Sequence, residues 1–306
     1  EMLDKHGFEV VFLIKYMIDS KEYIYHLETA KIIIFESWSN IKYKKKDSQI
    51  YIQLWHGSPL KKFLFSSSEP YIMQMNHNSR RKKFNDYSKW DYFLVDQDID
   101  IELYNEIFSY NTFKYLDYGY PKVKWLFDNK ENELMKKNIK KKLNLTKPVI
   151  LYTPTWRDIN LVEPDNKSYL LDIQSLQDKY SEYEFISMEH FYLNERIDKV
   201  DIQELILISD LIISDYSSII FDAIAIQKKI LLYHNDYQDF NAYRGLYHDR
   251  FKLFKDNICF SESEIKKKLD NIDSIKTYPS NSISSYENTI NSFNKLFKDI
   301  IKEEDT

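Results

Sequence analysis

His56, Arg157, Ser217 and Ser218 are the residues of this chain whose types and surroundings best suit chemistry on a phosphorylated ligand. The histidine stands in Gln53-Leu54-Trp55-His56-Gly57-Ser58-Pro59-Leu60-Lys61-Lys62, just beyond an apolar run that reads as a strand. A neutral imidazole titrates near physiological pH and can take the proton of an attacking hydroxyl, so it is a natural general base. Gly57 permits a sharp turn, Pro59 suits an early position in a following helix, and Lys61 and Lys62 can meet phosphate charge. The alternative is a histidine packed in a tight turn.

In Ser209-Asp210-Leu211-Ile212-Ile213-Ser214-Asp215-Tyr216-Ser217-Ser218-Ile219-Ile220-Phe221-Asp222 an apolar strand runs into a polar cluster that opens a helix. The first amides of a helix lack partners within it and the dipole is positive there, so a phosphate meets ready donors. Asp215, Ser217 and Ser218 are all suited to capping, and the two hydroxyls can also donate to a phosphate oxygen. An ordinary capped helix after a buried strand reads equally well from this stretch alone. Leu151-Tyr152-Thr153-Pro154-Thr155-Trp156-Arg157-Asp158 repeats the layout, with a strand ending in a proline-stiffened turn. Arg157 can clamp a phosphate through two parallel hydrogen bonds, and Trp156 can pack between loop and sheet. His190 follows the strand expected over Glu184 to Met188, and Arg244-Gly245-Leu246-Tyr247 falls in a loop after the strand ending at Tyr233.

The elements that must position these groups are short apolar runs alternating with amphipathic stretches. Strands are expected over Phe8 to Ile14, Lys31 to Phe35, Ile50 to Leu54, Asp91 to Val95, Phe113 to Tyr118, Val149 to Thr153, Leu211 to Ser214 and Lys229 to Tyr233. Helical patterns between them include Ile99 to Phe108, Glu131 to Leu143, Ile202 to Ile208 and Ser217 to Ile226, and a closing helix covers Glu287 to Lys302. The alternation predicts an α/β class with parallel sheets covered on both faces. A lysine-rich helix from Lys130 to Lys142 marks the best boundary, giving two doubly wound domains over residues 1–128 and 129–306. Each polar motif follows a strand, where the ligand of such a sheet binds.

The 306 residues are 43% hydrophobic and 30% charged, enough for two domains with real cores. A net charge of -5 gives no overall basic excess, so no nucleic-acid partner is expected. Cys259 is the single cysteine, which excludes an internal disulfide framework and a cysteine zinc cluster and fits a cytoplasmic chain. No apolar run approaches the ~20 residues of a membrane span. Asp98-Ile99-Asp100 resembles a metal-holding pair of carboxylates, but its place before a helical pattern favours capping and dipole complementation. No metal and no cofactor are expected. Basic runs such as Arg80-Arg81-Lys82-Lys83-Phe84 are ordinarily solvated faces, but this one, near Tyr87 and Trp90, mixes cations and aromatics as membrane-surface or polyanion contacts do.

Taken together and in this order, the tryptophan-histidine-glycine segment at 55–57, Tyr152 to Arg157, Ser214 to Ser218 with Asp222, and Arg244 to Tyr247 resemble the CDP-glycerol glycerophosphotransferase family. Teichoic-acid primases and polymerases and related capsule polymerases make up that family. The resemblance implies a GT-B-like fold of two facing Rossmann-type domains, with the active site in the cleft between an acceptor-side first domain and a CDP-donor-binding second one. It implies transfer of glycerol phosphate, or a similar polyol phosphate, from CDP-glycerol or a related CDP-polyol to a hydroxyl of a teichoic acid or capsular polymer, releasing CMP. A lipid-linked acceptor and a peripheral station on the cytoplasmic face of the cell membrane go with it. His56 takes the place of the family's catalytic base and His190 that of its second essential histidine. The donor's diphosphate is implied at Ser217 and Ser218, with Thr153, Arg157, Asp215, Asp222 and Arg244 around it.

The chain departs from the family pattern at Gly119-Tyr120-Pro121-Lys122-Val123-Lys124, where an arginine and an acidic residue are usual. His190 lacks the usual basic residue and proline, and the family's first strand and helix are short or absent, which suits one part of a larger enzyme. Two alternatives share these motifs: a GT-B glycosyltransferase using a nucleotide sugar, and an inactive module that holds nucleotide or polymer.

Overall fold

Parallel pairing organises the computed structural model, which describes residues 7–13, 20–38, 43–67, 77–157, 160, 163, 165–188, 200–279 and 288–302. In chain order the described elements are α1 (Lys21–Thr29), β1 (Ile32–Phe35), β2 (Ile50–Gln53), α2 (His77–Tyr87), β3 (Tyr92–Val95), α3 (Asp98–Ile107), β4 (Lys114–Asp117), α4 (Pro121–Asn129) and α5 (Glu133–Lys142). They continue with β5 (Val149–Thr153), α6 (Ile173–Lys179), β6 (Glu184–Ser187), α7 (Ile202–Ile208), β7 (Leu211–Ser214), α8 (Ile219–Ala225) and β8 (Lys229–Tyr233). The last are α9 (Tyr237–Tyr243), α10 (His248–Phe251), β9 (Ile258–Cys259), α11 (Glu262–Leu269) and α12 (Thr289–Lys302). The fold is α/β, as expected.

The contacts divide the chain into two units: residues 1–56, 77–121 and 284–306, and residues 57–76 with 122–283. The sequence expectation of a break at 128, with everything before it in the first domain and everything beyond it in the second, differs from this division in three respects. Residues 57–76 belong to the second unit, the division falls after Pro121, and α12 belongs to the first unit, where Phe293 meets Tyr118 edge-on with ring centroids 5.4 Å apart.

The first unit holds a four-stranded parallel sheet in the order β1-β2-β3-β4. Its core is aromatic: Trp55, Trp90, Phe93, Phe108 and Phe113 are buried and meet at centroid distances of 5.0 to 6.1 Å in stacked, tilted and edge-on pairs. Such pairs add about 0.5–1.5 kcal/mol each beyond area burial. The strand expected over Phe8 to Ile14 is not present: residues 8–13 are neither helix nor strand, and Ile14 lies outside the described residues. Val11 and Phe12 are exposed, so the apolar run is not drawn into a sheet.

The second unit holds five parallel strands in the order β6-β5-β7-β8-β9. Numbered within the unit this is 2-1-3-4-5, a doubly wound order whose direction of winding reverses between β5 and β7. Both of those strands are buried along their whole length, which is why their sequences are unbroken apolar runs. Ile150, Leu211, Ile213 and Leu231 anchor the core under α6 and α11. At roughly 1.5–3 kcal/mol per buried aliphatic side chain, this packing dominates the stability of the unit.

Candidate active site

In the second unit the loops after β5 and β7 leave neighbouring strands at the point where winding reverses, the usual ligand position of such sheets. Buried charge ties them together. The Asp215 carboxylate accepts from the Thr155 amide at 2.9 Å and from Arg157 Nη1 at 2.8 Å. Arg157 Nε and Nη2 donate to the two oxygens of Asp236, at 2.6 and 3.1 Å, and Nη1 also donates to the Thr155 carbonyl at 2.5 Å. The guanidinium thus commits four of its five N–H donors internally and lies against the rings of Tyr169, Tyr216 and Phe240. Burial alone would lower its pKa, but Asp215 and Asp236 together hold it above the ordinary arginine value. Arg157, expected as a phosphate clamp, is in this geometry the tie between three loops.

His234, which sequence reading passed over, completes the frame. It is 1% exposed, stacks on Tyr216 with centroids 4.5 Å apart, and approaches the Asp215 carbonyl through Nε2 at 3.2 Å. A carbonyl only accepts, so Nε2 carries the proton and Nδ1 is left buried with no partner among the described residues. Burial pushes the pKa of this imidazole down. Ending the strand Lys229 to Tyr233 was its only sequence signal.

The capping expectation at α8 is corrected. Ser218 is the N-cap, but its hydroxyl makes no cap hydrogen bond and its backbone is already helical. Ser217 Oγ accepts only a long bond from the Ile219 amide at 3.4 Å, and Asp215 points its carboxylate to Arg157. The helix has seven residues. The Thr153 hydroxyl is buried without a partner among the described residues, a state that costs about 1–3 kcal/mol while it persists.

Gly57 comes to this edge from the other end of the sequence. Its φ is +138°, and a Cβ there would stand 2.7 Å from Ser218 Oγ, 2.9 Å from Ser218 Cβ and 3.8 Å from Lys122 Nζ. Glycine is needed for both conformation and approach. Lys122, in the first turn of α4, pairs with Asp222, whose side chain is 2% exposed; Gln203 Nε2 reaches the same oxygen at 3.4 Å. Burial raises the Asp222 pKa, an effect that Lys122 and Gln203 oppose. Ser218, Asp222 and Lys122 therefore share one neighbourhood with Gly57.

No helix starts at Pro59, contrary to expectation; the next helical residues are a single 3-10 turn at Leu64–Ser66. Instead Leu60 to Lys62 pair antiparallel with the loop expected to matter at Arg244 to Tyr247. The Lys62 amide donates to the Gly245 carbonyl at 2.9 Å and the Tyr247 amide to the Leu60 carbonyl at 3.0 Å, so backbone groups a helix would need are already engaged. Arg244 itself is half-buried, caps the C-terminal end of α9, and accepts from the Ser67 hydroxyl through its carbonyl at 3.0 Å.

His56 belongs to the first unit. Its Nδ1 lies 3.1 Å from the Glu36 carbonyl and its ring stacks on Trp55 at 4.3 Å. The carbonyl makes Nδ1 the protonated nitrogen of the neutral ring, so Nε2 is the basic one. Trp55 holds a φ of +57°, a strained conformation for a bulky residue, and is pinned by its amide to Gln53 Oε1 at 3.0 Å. Buried Gln53 also donates to the Ser37 carbonyl at 3.0 Å, joining the loops after β1 and β2. The exposed imidazole thus stands on a fixed support. His190 lies outside the described residues.

The family model for CDP-Glycerol:Poly(glycerophosphate) glycerophosphotransferase matches residues 13–296. A teichoic acid poly(glycerol phosphate) polymerase of Bacillus spizizenii is 32% identical over 250 residues, 75% of this chain and 63% of that protein. Its Bacillus subtilis counterpart is 29% identical over 250 residues, 75% of this chain and 33% of that protein. The chain thus spans less than two thirds of the length of these relatives. A variant of the wall teichoic acid polymerase TagF has a similar structure, with a TM-score of 0.75 over 89% of this chain and 74% of that one; at 23% identity the likeness is one of fold. The chain belongs to the CDP-glycerol:poly(glycerophosphate) glycerophosphotransferase family.

Proposed function

We propose that this chain transfers glycerol phosphate, or a similar polyol phosphate, from its CDP ester to a hydroxyl of a teichoic-acid-type or capsular polymer. The acceptor oxygen bonds to the phosphorus that carries the polyol, the bridging P–O bond breaks, and CMP departs with that electron pair. His56 takes the acceptor proton on Nε2. Ser217, Ser218 and the buried Thr153 hydroxyl donate to the donor's diphosphate, Lys122 supplies the cation, and Asp222 holds that lysine. Arg157, Asp215 and His234 position the loops; preorganised donors of this kind carry most of the acceleration in phosphoryl transfer. Arg244 lines the donor side through its loop, and His190 is the second histidine of the reaction.

The observation that carries this reading is the seat of Gly57 on Ser218 beside Lys122. It joins two motifs far apart in sequence, and the bond from Gly57 to His56 keeps the Cα atoms of the two residues about 3.8 Å apart. The two units are, on this reading, the facing Rossmann-type domains of a GT-B arrangement: residues 1–56, 77–121 and 284–306 serve the acceptor, and residues 57–76 and 122–283 serve the donor. The acceptor is lipid-linked and reached from the cytoplasmic face by peripheral association; among the described residues no helix is long and apolar enough to cross a membrane.

Release of CMP is measured with CDP-glycerol, CDP-ribitol and a UDP-sugar, with and without a lipid-linked acceptor. Acceptor-dependent release from a CDP-polyol is expected, and His56→Ala lowers kcat by about 10²–10⁴ without unfolding the chain, because the ring is exposed. Turnover of the UDP-sugar alone, or undiminished activity of the variant, rejects the assignment.

A further inference from the structure

At the opposite edge of the second unit's sheet, the residues that precede the strands gather against α5. Asp210 comes just before β7, Lys228 just before β8, and Leu145 and Thr146 shortly before β5. Strands of four or five residues separate this edge from the motif loops, roughly 13–16 Å. An open cleft of about 760 Å³ lies here, lined by Lys136, Lys137, Lys140, Lys141 and Lys228. Among the described residues Glu133 and Asp210 are the only carboxylates in its wall, leaving an excess of three positive charges. Leu145, Leu207 and Ile208 give it an apolar floor.

Part of this charge is internally matched: Lys136 pairs with Glu133 at 2.8 Å and Lys140 stands 3.8 Å from Asp210. Lys137 and Lys141 are exposed and have no acidic partner within 4 Å among the described residues. Lys228 donates to the Leu207 carbonyl at 2.8 Å; burial and the nearby Lys136 push its pKa down to about 8. A cation held beside other cations is a site that lacks negative charge.

Lys136 and Lys140, and likewise Lys137 and Lys141, are four residues apart on α5, so each pair is offset by about 6 Å along the axis. A glycerol phosphate chain bears one charge for every six backbone bonds, the same number as two amino-acid residues, which span roughly 7 Å when extended. Its carbon units suit an apolar floor between cations. We propose that this cleft binds a linear polyanion of phosphodiester-linked polyol units, holding the polymer away from the reacting groups. The identity of the polymer rests on the function proposed above.

Binding of fluorescent, lipid-free glycerol phosphate oligomers to the whole chain is measured by anisotropy at low salt. The cleft variant is Lys137→Glu with Lys141→Glu, and the control is Lys255→Glu with Lys267→Glu on a different surface. The cleft variant is expected to bind about tenfold or more weakly, the control within twofold, and raised salt to weaken parental binding steeply. Parental failure to bind oligomer, equal affinity of parent and cleft variant, or an equal loss in the control overturns the proposal. So does a loss confined to phosphatidylglycerol vesicles with oligomer affinity intact, which assigns the cleft to a membrane surface. The readout needs no turnover, so CMP release from CDP-glycerol, measured in parallel, tests the transfer reaction separately.

Discussion

Replacing Gly57 with alanine tests the geometry on which the site rests. Two costs combine. A φ of +138° is a region that L side chains rarely adopt, and holding one there costs about 1–3 kcal/mol. The added Cβ would also stand 2.7 Å from Ser218 Oγ and 2.9 Å from Ser218 Cβ. The hydroxyl can rotate away, but the Cβ moves only with the backbone that opens α8, and overpacking of this kind costs about 1–3 kcal/mol. The sum is about 2–6 kcal/mol, against a typical total stability of about 5–15 kcal/mol. Thermal and urea unfolding measure it, alongside CMP release. Ser218→Gly removes both clashing atoms, so in the double variant the steric part should return and the conformational part remain, giving a coupling of at least about 1 kcal/mol. A Gly57→Ala variant destabilised by less than about 0.5 kcal/mol with full activity, or strict additivity with Ser218→Gly, refutes the close approach.

Arg157→Lys keeps the charge but loses the two-pronged grip on Asp236, and should destabilise the chain by about 2–4 kcal/mol in urea unfolding; a neutral result argues against the frame. Lys122→Met leaves Asp222 buried without its cation and should cost about 1–3 kcal/mol at pH 7, a loss that Lys122→Met with Asp222→Asn largely reverses. For His234 the folded pKa lies below the ordinary value near 6.5, so between the two values the unfolded chain takes up a proton that the folded chain refuses. Stability should then rise with pH across that window, by up to about 1.4 kcal/mol per pH unit, and be lost on acidification. Unfolding from pH 7.5 to 5 checks this, and His234→Gln should flatten the slope; an unaltered slope removes His234 as its source.

The strands of the second unit were readable because β5, β7 and β8 are continuous apolar runs bounded by polar residues, and their ends fall where the pattern stops. α1, α2 and α9 escaped the pattern for different reasons. α1 buries only Tyr23 and Leu27, α2 is a polar sequence with four consecutive cations, and α9 is seven residues long with one buried ring. The run at 8–13 has strand composition without a neighbouring strand, and composition alone cannot supply a partner. At the site, residue types were legible but allegiance was not. Arg157 reads as a phosphate ligand until Asp236, 79 residues away, is found on its fork, and only tertiary structure reveals that contact. Gln53 gave no local signal, and His234 gave only its place at the end of a strand, because each works by joining loops that are distant in sequence.

The polypeptide passes from one unit to the other at 56/57, at 76/77, at 121/122 and at 283/284. Neither unit is a continuous stretch, so no single cut in the chain releases both intact. The first is assembled from three segments and cannot be completed until residues beyond 283 have been synthesised, so nascent chains emerging from the ribosome finish their second unit first. Gene fusions or splits that respect this interleaving would have to exchange at least two segments at once.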